Sequence, residues 1–329
     1  MKVLVTGGCG FIGSNFVKYV LENFKNDKIV NVDKKTYAGG GNNVEHMGLD
    51  AHPNYIFYNA DICDRKKMEE IFEKERPEIV VNFAAESHVD RSITHPEQFV
   101  MSNVFGVFNL LEAARKTGIK LFVQISTDEV YGSLSNNSPS SKESDLLKPR
   151  SPYSASKAAA EHLAMSYFHT YNLPVIVTRS SNNYGPYQFP EKLIPLFATN
   201  LIDGKKVPLM YSKENPGLNV RDWLHVEDNC AAIWHIIQKG KYGETYNIAG
   251  NHEKTNIEIT KSILSSMGLG EEMIEFVPHR LGHDFRYSIS DEKLRGLGFE
   301  KKHGDFEKAL KDTIIWYKKN ENWWRPLKK

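Results

Sequence analysis

Tyr153 and Lys157 stand four residues apart in a stretch, 151–170, that reads as helical, which puts both side chains on one helix face. A phenol with a pKa of about 10 is a poor base at neutral pH, but a neighbouring ammonium favours its phenolate, and bringing it to neutrality takes only about 4 kcal/mol. Such a tyrosine can take the proton from an alcohol whose carbon gives up a hydride. A second group lies upstream, where Ser126, Thr127, Asp128 and Glu129 run consecutively. Two adjacent carboxyls supply an additional acid and base. In an ideal strand they would point to opposite faces, so they converge on a substrate only if the strand ends before them. In isolation these residues would read as a surface tyrosine, a solvated lysine and two turn acids; their neighbours decide otherwise.

Gly7, Gly10 and Gly13 in TGGCGFIGS follow an apolar strand-like run, Lys2 to Thr6, and open an amphipathic stretch from Ile12 to Phe24. A glycine turn in that setting lets backbone N–H groups and a positive helix end approach a pyrophosphate that any Cβ would obstruct. Asp33 lies 20 residues beyond Gly13, at the end of the second strand-like run. A carboxylate there accepts both hydroxyls of an adenosine ribose. Lys34 and Lys35 could attract a 2′-phosphate, yet Asp33 would repel it at contact distance, so NAD is expected rather than NADP. Asp61 and Ile62 follow the third run and suit the adenine edge.

The elements that must position these groups alternate. Residues 28–33, 55–58, 78–82, 120–126 and 174–179 read as strands separated mostly by helices, without regular polar alternation. That texture predicts an α/β, Rossmann-type doubly wound parallel sheet covered on both faces. After about Ser180 the chain becomes richer in Pro, Gly, Asn and Lys, with weaker strands at 207–211, 245–248 and 273–277, so a smaller C-terminal substrate-binding lobe is expected. The expected division is 1–180 and 181–329, with some later segments returning to the first lobe.

Composition sets the outer limits. Of 329 residues, 40% are hydrophobic and 25% charged, as in a globular protein with a full core. Lys plus Arg number 42 against 41 Asp plus Glu, and a net charge of +1 provides no field for gripping nucleic acid. Cys9, Cys63 and Cys230 lack zinc-site spacing and read as reduced thiols, and no metal is expected. The apolar runs are too short to span a membrane and no signal-peptide pattern opens the chain, so a cytoplasmic protein is expected.

The glycine spacing Gly7-x-x-Gly10-x-x-Gly13, then Asn82-Phe83-Ala84-Ala85, Ser126-Thr127 and Tyr153-Ser154-Ala155-Ser156-Lys157, resembles the extended short-chain dehydrogenase/reductase family. Further stretches are similar to its nucleotide-sugar 4,6-dehydratases acting on dTDP-glucose: Thr127-Asp128-Glu129-Val130-Tyr131-Gly132, Glu86 to Ser92, Ser181 to Gln188, Pro190 to Pro195, Asn219 to Trp223 and Gly282 to Tyr287. The resemblance implies a homodimer with NAD, held by Gly7, Gly10, Phe11, Ile12, Gly13, Asp33, Asp61, Ile62, Ala84, Ala85, Tyr153 and Lys157. It implies catalysis by Thr127, Asp128, Glu129, Tyr153 and Lys157. The nucleotide sugar, dTDP-glucose, would be held by Ser87, Thr127, Asn182, Lys192, Leu193, Arg221, Asn256, Arg280, His283 and Tyr287. The family's dimer helices resemble 99–116 and 151–170; there Val104, Val107, Phe108 and Leu111 recur at helical spacing and could serve core or interface alike. A UDP-glucose 4,6-dehydratase remains an alternative. A UDP-sugar 4-epimerase or UDP-glucuronate decarboxylase would share the fold and the Tyr153/Lys157 pair, but the acid pair argues against both. A non-catalytic NAD sensor would need none of these acids.

Overall fold

The structure, a computed structural model, describes residues 1–36, 41–213, 216–278 and 284–328. Twelve strands occur among them: β1 (Lys2–Thr6), β2 (Lys28–Asp33), β3 (Tyr55–Asn59), β4 (Ile79–Asn82), β5 (Leu121–Thr127), β6 (Val175–Ser180), β7 (Asn182–Tyr184), β8 (Val207–Tyr211), β9 (Val220–His225), β10 (Glu244–Ile248), β11 (Glu253–Thr255) and β12 (Ile274–Pro278). Seven form one parallel sheet in the order β10-β6-β5-β4-β1-β2-β3. The central strands are buried on both faces, which is why their sequences run apolar without alternation.

Two cores flank the sheet. Phe16, Val17, Ile233 and Trp234 from helices Phe11–Asn23 and Val226–Lys239 fill one side. Met68, Phe72, Leu110, Ala160 and Ala164 from helices Arg65–Glu75, Val107–Thr117 and Pro152–Tyr171 fill the other. A third core gathers helices Leu193–Ile202, Asn256–Met267 and Phe306–Lys319 around Phe197, Ile263 and Leu310, beside the smaller sheets β11-β9-β7 and β12-β8. β10, grouped in sequence with the weaker later strands, pairs with β6 at the edge of the main sheet, and helix Val226–Lys239 returns there with it.

One detail differs from the sequence reading. Met101–Gly106 is a π-helical turn between helices Pro96–Val100 and Val107–Thr117. It buries Asn103, whose side chain accepts from the Glu86 N–H at 2.8 Å and donates to the Ser156 hydroxyl at 2.8 Å. In the same region Val107 and Leu111 are core, whereas Val104 and Phe108 are only half-buried. No described helix is long and apolar enough to cross a membrane, and the three cysteines are free thiols.

Candidate active site

The strand order reverses between β1 and β4, and a cleft opens beyond the carboxyl ends of these strands, the usual place for a ligand in this architecture. Its empty space is about 1230 Å³, counting the solvent-open mouth. All twelve residues expected to hold a dinucleotide line it, from Gly7 at the turn to Lys157.

The glycines divide by what constrains them. Gly7 has φ +70°, and a Cβ there would sit 2.6 Å from the Ala84 nitrogen; at Gly13 a Cβ would sit 2.2 Å from the Gly7 carbonyl oxygen. The chain's own backbone demands both glycines. Gly10 meets only the Gly7 oxygen at 3.3 Å and has an ordinary φ of −73°, so the protein alone tolerates a methyl group there. A ligand seated against the turn would exclude one. Helix Phe11–Asn23 has no side-chain cap and no acid in its first turn, leaving its positive end to an anion. The Ser126 hydroxyl, buried without a hydrogen-bond partner among the described residues, also lines the cleft.

Asp33 is oriented by the turn, accepting from the Cys9 N–H at 2.9 Å and the Lys35 N–H at 2.7 Å, with oxygen lone pairs left for ribose hydroxyls. The two lysines beside it are engaged elsewhere: Lys34 pairs with Asp61 at 3.2 Å and Lys35 with Glu45. The site therefore fits NAD better than a phosphorylated analogue.

At the far end of the cleft, β5 stops at Thr127 and Asp128–Tyr131 form a single 3₁₀ turn. The Thr127 hydroxyl makes that turn by accepting from the Glu129 N–H at 3.3 Å, and it donates to Asp128 Oδ1 at 3.1 Å. Strand alternation thus no longer separates the two acids, and the charges of both reach the Tyr153 hydroxyl. Asp128 is 2% exposed and its Oδ2 has no hydrogen-bond partner among the described residues. Burial first, then the charges of Glu129 and Asp222, hold its pKa well above the carboxylate range. That shift favours the protonated form, which is able to donate.

Tyr153 and Lys157 project from helix Pro152–Tyr171, which Ser151 starts with a capping box closed by Ser154 and with Pro152 in the first turn. Lys157 donates to the Ile125 carbonyl at 2.6 Å, and burial lowers its pKa to about 8, so it remains mostly an ammonium at neutral pH. The expectation that this ammonium lowers the tyrosine pKa is corrected by the structure. Tyr153 is pushed above its ordinary value, by burial first and then by Glu129 and Asp128, because the lysine points to a carbonyl while two acids face the phenol. Thr127, in hydrogen-bond contact with Tyr153, favours the phenolate in the opposite sense.

Two supporting groups escaped the sequence reading. Glu161, one turn beyond Lys157, is buried against Arg179 at 2.7 Å and favours the charged lysine. Asp222 sits inside the substrate-side motif and accepts from the Gly250 and His252 N–H groups, each at 2.7 Å. Its signal was present in Arg221-Asp222-Trp223, where only the arginine was weighed.

Of the expected sugar-nucleotide residues, Ser87 and Lys192 line the cleft, and Leu193 begins the helix that Lys192 precedes. Asn182 on β7, with a buried Oδ1 that has no partner among the described residues, Arg221 on β9 and Asn256 at a helix start gather around the three-stranded sheet. Arg221 donates to the Val220 carbonyl at 2.7 Å and the Asp284 carbonyl at 3.0 Å, with its guanidinium 4.4 Å from the Tyr287 ring. Tyr287 donates to Asp284 at 2.5 Å. These two residues thus clamp the 284–287 segment onto β9. Arg280 and His283 lie outside the described residues.

Residues 4–319 match the family described as GDP-mannose 4,6 dehydratase. The chain belongs to the GDP-mannose 4,6 dehydratase family. A similar relative is a dTDP-glucose 4,6-dehydratase of Neisseria meningitidis serogroup B, 45% identical over 98% of this chain and 95% of that protein. Among solved structures, the dTDP-glucose 4,6-dehydratase of Bacillus anthracis in complex with NAD is 49% identical, with a TM-score of 0.91 and full coverage of both chains. That of Streptomyces venezuelae, also solved with NAD, is 44% identical with a TM-score of 0.94 and the same coverage.

Proposed function

We propose that the chain catalyses the NAD-dependent dehydration of dTDP-glucose to dTDP-4-keto-6-deoxyglucose, a step of deoxysugar biosynthesis. The observation that carries the reading is the Asp128–Glu129 pair, turned off the end of β5 beside Tyr153 at one end of a dinucleotide cleft. The names of the similar proteins support it.

Bound NAD supplies a hydride acceptor for one step and a hydride donor for the last. Tyr153, assisted by Thr127, removes the proton of the sugar's C4 hydroxyl. Its phenol is held above its ordinary pKa in this pocket by burial and by Glu129 and Asp128, so the positive charge that an oxidised nicotinamide would bring is what would make it a base. The resulting ketone acidifies C5; Glu129 takes that proton, and Asp128 delivers its own to the departing C6 oxygen. Gly7, Gly10, Phe11, Ile12, Gly13, Asp33, Asp61, Ile62, Ala84, Ala85, Tyr153 and Lys157 would hold the cofactor. Ser87, Asn182, Lys192, Leu193, Arg221, Asn256 and Tyr287 hold the nucleotide sugar, with Arg280 and His283. Residues 1–180 carry mainly the cofactor and the catalytic groups and 181–329 mainly the nucleotide sugar, with Ser87 reaching the sugar from the first part.

Incubated with dTDP-glucose and no added NAD, the purified protein is expected to yield a product lighter by one water in mass spectrometry. Faster water loss from UDP-glucose would contradict the substrate assignment, and no water loss from either would contradict the reaction.

We also propose a homodimer in the cytoplasm. Val100 at the end of helix Pro96–Val100, and Met101 and Phe105 on the π-helical segment, 55%, 50% and 41% exposed, lie beside helix Pro152–Tyr171 and give an apolar face that a second copy would cover. Sedimentation should give a dimer that Phe105→Glu dissociates. A concentration-independent monomer would refute it.

A further inference from the structure

Away from the cleft, His225, Glu227 and His303 meet where helix Val226–Lys239 begins. One ring nitrogen from each histidine and one Glu227 carboxylate oxygen lie within 4.8 Å of one another, and the two imidazoles stack with centroids 3.9 Å apart. His225 closes β9 and is buried, whereas Glu227 and His303 are half-buried, so the trio opens to solvent on one side.

His303 is fixed in place. Asp228 accepts from the backbone N–H groups of Lys302 at 2.8 Å and His303 at 3.0 Å, latching the segment before helix Phe306–Lys319 onto helix Val226–Lys239. The bonds the trio makes now are replaceable. His303 Nε2 meets Glu227 Oε2 at 2.9 Å, and Lys302 reaches the same oxygen at 3.2 Å from a side chain 79% exposed. His225 Nδ1 accepts from the Glu227 N–H at 3.3 Å, long for such a bond and cheap to release.

We propose that His225, Glu227 and His303 form a binding site for one divalent cation of borderline softness, zinc above all, with water as the fourth ligand. Two imidazoles, a carboxylate and an open position are a ligand set that zinc accepts, and imidazole donors suit zinc, copper or nickel rather than magnesium or calcium. None of the three residues lines the cleft, so the cation is a staple rather than a reagent. It joins β9 and helix Val226–Lys239 to the segment entering helix Phe306–Lys319. No short-spaced motif announces it, because 76 residues separate Glu227 from His303.

The test is calorimetric titration of the chelator-treated full-length protein with Zn²⁺, alongside thermal denaturation and the visible spectrum of bound Co²⁺. One Zn²⁺ per chain, a higher Tm at saturation, a four-coordinate Co²⁺ spectrum and no response to Mg²⁺ are expected. His303→Ala and Glu227→Gln, at half-buried positions, should each weaken Zn²⁺ binding about 100-fold or more, since losing even the partners of a ligand costs about 10–100-fold. Lys302→Ala removes a competing ammonium and should tighten binding by about two- to fivefold. Absence of one-to-one binding, binding that both weakened variants retain, or looser binding in Lys302→Ala would overturn the proposal.

Discussion

Glu129→Gln should leave oxidation at C4 working while elimination nearly stops, so that reduced nicotinamide accumulates on the enzyme. The amide keeps the size of the side chain and removes its basicity. Asp128→Asn should slow water loss but keep exchange of the C5 proton with deuterated solvent, because Glu129 is untouched. General acid and base contributions are about 10² to 10⁴-fold, so each loss stands well outside assay error. Tyr153→Phe is the contrast: it blocks oxidation itself and leaves little reduced nicotinamide. Normal turnover by Glu129→Gln, or a block as early as that of Tyr153→Phe, would remove Glu129 from the elimination step. Asp128 also has a stability signature. Its folded pKa lies above the ordinary carboxyl value, so the folded chain binds more protons and stability falls as pH rises from that value toward the raised one. Asp128→Asn should therefore melt higher than the parent at neutral pH, with the difference vanishing in acid.

Gly13→Ala and Gly10→Ala should fail in different ways. At Gly13 the new Cβ lies 2.2 Å from one backbone oxygen and 2.9 Å from the Gly8 Cα, and no side chain can move to relieve it. The turn must open, at a cost of about 3 kcal/mol, and NAD is lost with it. At Gly10 the methyl meets protein only at 3.3 Å, so stability should change by no more than about 1 kcal/mol while bound NAD disappears. Thermal melts and the NAD content of the purified variants separate the two outcomes. A Gly10→Ala protein that retains NAD like the parent would show that the pyrophosphate does not sit against this turn.

What the sequence makes legible here is local. A strand, three glycines and a helix follow one another within a few residues, and Asp33 is placed by strand length alone, so the dinucleotide side of the cleft can be read directly. The acid pair is legible as chemistry but not as geometry. Whether β5 ends at Thr127 depends on a threonine hydroxyl accepting from the Glu129 N–H, and side-chain period alone does not report that bond. Long-range partners stay hidden: Asp222 acts on Asp128 from another sheet, and Arg179 holds Glu161 from β6. The sign of the Tyr153 shift reversed for the same reason. Four-residue spacing places Lys157 on the right face, but the Ile125 carbonyl captures its ammonium. The π-helical turn at Met101–Gly106 is likewise set by packing, with Gly106 against Ile62, where a Cβ would come within 2.5 Å.

The central claim is that oxidation, elimination and reduction occur in one site, with the hydride lost at C4 returned to C6. dTDP-glucose carrying deuterium at C4 should give dTDP-4-keto-6-deoxyglucose with that deuterium at C6, without added NAD, as read by mass spectrometry and NMR of the product. Deuterium released to solvent, or turnover that requires stoichiometric NAD, would contradict it.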